Sequence, residues 1–76
     1  INHFVRLQVQ TIASASPGEA RASGQLLRHL RFIVNVDPLV WKYQESSDTN
    51  RQHLIADIYR DITGEDIERR LIELND

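Results

Sequence analysis

The chain has 76 residues, a formal net charge of −2, 41% hydrophobic and 26% charged side chains, and no cysteine. This balance is that of a folded globular domain and excludes a disordered tract; the missing cysteines exclude disulfides and thiolate-held metals. A domain this small buries only about 60% of the surface its unfolded chain exposes, so association with another chain is the expected brace once disulfides and metal are gone.

The longest apolar runs, Phe32-Ile33-Val34 and Leu39-Val40-Trp41, are too short to cross a bilayer, and no apolar stretch follows a basic start as in a secretory signal. The expectation is therefore a cytoplasmic chain with no membrane partner. Residues 1–76 are expected to form one small domain. Because they begin at Ile1 and contain no methionine, that domain is expected to be a piece of a longer protein. Charge is unevenly spread. Residues 1–43 carry Arg6, Arg21, Arg28, Arg31 and Lys42 against Glu19 and Asp37, whereas residues 44–76 carry four arginines against nine acids. Such asymmetry marks either a basic face for an anionic partner or two halves that pack together or pair between subunits; the second reading is preferred.

Residues 1–13 admit two structures. As a helix, Ile1, Phe4, Val5, Val9, Ile12 and Ala13 share a face and Leu7 is misplaced. As a strand, Val5, Leu7 and Val9 alternate with polar residues but Phe4 and Ile12 fall on the polar side. The helix fits more residues and is the preferred reading. Ser16-Pro17-Gly18-Glu19 is a capping box with proline at the first helical position. Ala20, Leu27 and Val34 then recur every seven residues, and Leu26, Leu30 and Ile33 widen the stripe, predicting a helix over 17–35. Its end is ambiguous, because Arg31–Val36 is β-branched and would also suit a short strand. Asp37-Pro38 can cap a short third helix, 38–45. Ser46–Asn50 is a polar loop. Asp48 or Thr49 can cap a fourth helix, with Thr49 and Gln52 as a second capping box; Leu54, Ile55, Ile58 and Ile62 give its apolar face over 49–63. Gly64 suits a left-handed cap. A last helix, 65–74, carries Ile67, Leu71 and Leu74, with Glu65–Arg69 and Asp66–Arg70 at pairing distance. The predicted fold is mainly α, a small bundle of four or five helices. The alternative is α+β, with strands near 4–12 and 31–36.

Few residues carry chemistry. His3, His29 and His53 are far apart and lack metal-helix spacing. Asp57, Asp61 and Glu65 recur every four residues but as a straight stripe, which reads as a solvated face rather than a cation site. No serine sits in a nucleophile elbow and no glycine set forms a phosphate loop. Neither a catalytic site, a metal nor a cofactor is expected, and the chain is read as no enzyme. Gly24, with Ala20 and Ser23, makes a small-residue patch where a second helix could approach closely. The leading functional expectation is a protein-interaction or oligomerisation module, its partner another protein or a second copy. Leu26, Leu27, Leu30, Trp41 and Tyr43 are its expected contact residues, with Arg28 and Arg31 steering an acidic partner. Nucleic-acid binding through the Arg21, Arg28 and Arg31 helix is the alternative, disfavoured by the acidic net charge.

Overall fold

The computed structural model describes residues 2–75, and these form five α-helices and no strand: α1 (Asn2–Ser14), α2 (Pro17–His29), α3 (Asp37–Glu45), α4 (Thr49–Thr63) and α5 (Ile67–Asn75). The chain is thus a small helical bundle. The whole of 4–12 is helical, and 31–33 are hydrogen-bonded turns. On α1, Val5, Val9 and Ile12 are buried and Phe4 lies half-buried against them, while Leu7 points outward as the helical reading requires.

The predicted caps are partly re-assigned. Ser16 does start α2, its hydroxyl accepting the Glu19 N–H at 3.4 Å, but it also donates to the Glu19 carboxylate at 3.3 Å. α2 then stops at His29, short of the predicted 35. Leu30 N–H bonds the Leu27 carbonyl and Arg31 N–H the Arg28 carbonyl, three residues back, which is the tightened geometry of a closing turn. The β-branched Ile33, Val34 and Val36 lose side-chain freedom in a helix, and Asn35 Oδ1 takes the Asp37 N–H at 2.9 Å instead. Asp37 is accordingly the first residue of α3 and not its cap; Val36 holds the cap position. Asp37 turns its carboxylate to Arg70, with Nε–Oδ1 3.2 Å and Nη2–Oδ2 3.1 Å, a two-pronged link from α5 to the start of α3.

At the head of α4, Asp48 accepts the Asn50 N–H at 3.0 Å. The Thr49–Gln52 box gives way to longer reaches. Gln52 Nε2 donates to the Tyr43 carbonyl and Arg51 Nη1 to the Ile12 carbonyl, both at 3.0 Å. One turn of α4 thereby satisfies carbonyls near the C-terminal ends of α1 and α3, which have no partner within their own helices. Gly64 closes α4 with φ 76°, the left-handed conformation expected of it. α5 starts at Ile67 rather than 65, because Asp66 Oδ1 takes the Glu68 N–H. The predicted i,i+4 pairs are replaced by Arg69–Glu73 at 4.0 Å and by Arg70 with Asp37 and Glu73.

α1 packs on α2, α3 and α4; α2 and α3 each pack on α4, and α5 lies against α3 and α4. Between them Leu27, Leu39, Val40, Ile55, Ile62 and Ile67 are almost wholly enclosed. The radius of gyration is 11.2 Å, close to the roughly 11 Å of a compact domain of this length. The core is therefore closed within the chain. α4 is the central element, seated against all four other helices.

Candidate functional site

The seven residues expected to bind a partner do not share one face. Leu26 and Leu27 are adjacent, so about 100° of helix separates them. Leu27 has no exposed surface and belongs to the core, whereas Leu26 is 48% exposed. Leu30, at the closing turn of α2, is half-buried. Trp41 is exposed on the outer side of α3, opposite Leu39 and Val40. Tyr43 is half-buried, and its hydroxyl donates to Glu68 Oε1 at 2.8 Å, tying α3 to α5. Arg28 Nη1 lies 3.4 Å from Asp61 Oδ1, beside the Gln25–Asp61 hydrogen bond of 3.2 Å; Arg21 lies 4.0 Å from Asp57. Arg31 stacks on the Phe32 ring, 4.6 Å from its centroid.

These pairs account for the uneven charge. The basic side of α2 faces the acidic side of α4; Asp57 and Asp61 remain exposed, as a solvated face should be, and meet Arg21 and Arg28 at the surface. Each pair is half-exposed and worth no more than about 1 kcal/mol, so the arrangement balances charge more than it holds the fold. Asp57 turns to Arg21 and forms no ion pair with His53 among the described residues. The small-residue patch is likewise internal. Ala20, Ser23 and Gly24 are buried, and a Cβ placed on Gly24 would lie 2.6 Å from Ile58 Cγ2. The close helix approach that the patch foretold is that of α4.

Two tyrosines have raised phenol pKa values. At Tyr43 the hydrogen bond to Glu68 is the main cause, followed by burial; at Tyr59 burial is the main cause, followed by the Asp37 carboxylate. Both phenols hold their protons more tightly folded than unfolded, where ionisation occurs near pH 10. The stability these two phenols contribute is therefore intact below about pH 10 and is lost as pH rises through their raised folded values. In urea titrations the unfolding midpoint is expected to fall above that pH. The fall should be shallower in Tyr59→Phe and shallower again with Tyr43→Phe added; an unchanged alkaline profile would refute this origin.

The segment that sequence reasoning placed inside a helix is the most exposed apolar feature. With α2 ending early, Phe32 is 85% and Ile33 66% exposed. Beside them, α1, the 30–36 loop and α3 enclose a groove of about 580 Å³. Its walls are Val5, Val9, Ile33, Val34 and Pro38, with Arg6 and Lys42 among its polar residues. The β-branched run ahead of Asn35 and Pro38 was the signal that the helix would stop, and hence that Ile33 would leave the core stripe.

Among the described residues no group of three or more histidine, aspartate or glutamate side chains is placed to hold a metal ion, and no helix is long and apolar enough to cross a membrane. No family model, curated protein or solved structure matches the chain.

Proposed function

We propose that this chain is a protein-interaction module that binds through the side of the bundle carrying the 30–36 loop. The observation that supports the reading is Phe32-Ile33, two adjacent large apolar side chains standing in water beside a closed core. Single exposed apolar residues are ordinary; a contiguous pair beside an apolar groove is the kind of surface that interfaces use. Exposed Leu26 and Trp41 add apolar surface elsewhere on α2 and α3. Leu27 plays no part in the reading. The partner can be another protein or a second copy of the chain. Nucleic-acid binding has weaker support, since Arg21 and Arg28 lie beside acids that would repel phosphate.

The test separates binding from folding. Phe32→Ser with Ile33→Ser should leave the unfolding free energy within about 0.5 kcal/mol of the parent, as for surface positions. Peptides selected by display on the parent chain should fail to bind the double variant, and any self-association seen by sedimentation should vanish in it. The reading falls if the variant unfolds, or if ligands of the parent bind the variant equally well.

A further inference from the structure

The groove is walled by apolar side chains of α1, the 30–36 loop and α3, and both charged residues that line it are cations. Arg6 projects from α1 and Lys42 from α3, and no acid is among the lining residues described. The setting sharpens this. The chain is acidic overall, yet its first acid is Glu19, so α1 contributes positive charge alone. Arg6 forms no ion pair among the described residues, and Lys42 has one exposed contact, Glu45 at 3.7 Å. By contrast Arg21, Arg28 and Arg70 face acids of other helices. The groove is thus an apolar slot whose rim, among the described residues, carries two cations and no acid, Arg6 unpaired and Lys42 paired only with the exposed Glu45, on a molecule of net negative charge.

We infer that this groove receives an acidic amphipathic segment of another protein. Bulky apolar side chains enter between Val5 and Val9 on one side and Ile33 and Pro38 on the other, and carboxylates of the segment lie beside Arg6 and Lys42. The volume of about 580 Å³ lies within the roughly 300–1,000 Å³ of cavities that hold a ligand, enough for anchor side chains but not for a whole helix. The recognition mode is a helix-in-groove with apolar anchors at helical spacing, and opposite charge sets orientation and rate more than affinity. The inference rests on the interaction-module reading and adds the groove and the partner's chemistry to it.

The probes are two capped synthetic peptides with leucines at helical spacing, one with glutamates between them and one with lysines. Binding to the full chain is followed by backbone amide shifts. The glutamate peptide is expected to bind with shifts centred on Val5, Arg6, Val9, Ile33 and Lys42, and to weaken with added salt. The lysine peptide is expected to bind at least about tenfold more weakly. Arg6→Glu with Lys42→Glu should reverse that preference, and Arg6→Gln with Lys42→Gln should abolish it, both folding like the parent by circular dichroism. Equal affinity for the two peptides overturns the inference, as do shifts centred on the α2–α4 face. Groove shifts that grow with protein concentration, without peptide, overturn it in favour of a second copy. If neither peptide binds while selected ligands still depend on Phe32 and Ile33, the inference fails and the interaction-module reading stands; if no such ligand exists either, both fail.

Discussion

Leu27→Ala is expected to cost about 2–5 kcal/mol of unfolding free energy, whereas Leu26→Ala, one residue away, should stay within about 0.5 kcal/mol. Leu27 is fully enclosed at the junction of the helices, so truncating it leaves a cavity that the surrounding side chains cannot close. Leu26 is 48% exposed and leaves none. The loss is large against the whole stability of a domain this size, roughly 4–11 kcal/mol, so Leu27→Ala should unfold at a much lower urea concentration than the parent. Urea denaturation followed by circular dichroism measures both variants. Comparable losses at the two positions would mean that α2 is rotated from its described orientation and that Leu26 faces the core. The contrast also separates the two roles first assigned together to the leucine stripe, because only Leu26 can meet a partner without the bundle opening.

The helices were legible where periodicity and caps agreed. The period in 2–14 placed Val5, Val9 and Ile12 inward and left Leu7 as the odd residue; Leu7 is exposed. Gly64 and Ser16 fulfilled their local roles because a left-handed turn and an N-cap depend only on neighbours in sequence. Asp37, Gln52 and Arg70 were misassigned for the converse reason. Each had a local partner at the right spacing, and each is used instead across the bundle, by Arg70, by the Tyr43 carbonyl and by Asp37 respectively. Spacing along one helix does not reveal which competing partner a second helix will bring.

The candidate site was less legible than the fold. A leucine-rich stripe predicts that something covers it, but not whether the cover is another chain or another helix of the same chain. Here α1 and α4 supply it, and Leu27 disappears from the surface. The exposed pair Phe32-Ile33 is hidden in the sequence because the apolar stripe continues in register through Ile33 to Val34. Ending α2 at His29 releases these residues from the helical phase. The groove needs three separated segments, 2–10, 33–38 and Lys42, and only their packing defines it.

The contact between α2 and α4 gives the second large effect. Alanine is the better helix former, and at an open position Gly24→Ala would stabilise by about 1 kcal/mol. At this position the added Cβ would sit 2.6 Å from Ile58 Cγ2, where ordinary contact is 3.4–4 Å. Ile58 cannot swing aside, because its Cγ2 is bonded directly to Cβ and a β-branched side chain in a helix keeps essentially one rotamer. The helices must part instead, which loosens the packing of Leu27 and Ile55 around the junction. Overpacking of this kind costs about 1–3 kcal/mol, so Gly24→Ala is expected to destabilise by a net of about 1–2 kcal/mol after the helix-propensity gain. Ile58→Ala removes the obstructing methyl. In that background Gly24→Ala should become neutral or stabilising by up to about 1 kcal/mol, so that the double-mutant cycle shows favourable coupling between two alanines that are each harmful alone. Additive losses would show that α2 and α4 do not meet at Gly24. A stabilised Gly24→Ala single variant would show the same, and would make the small-residue patch available to a partner after all.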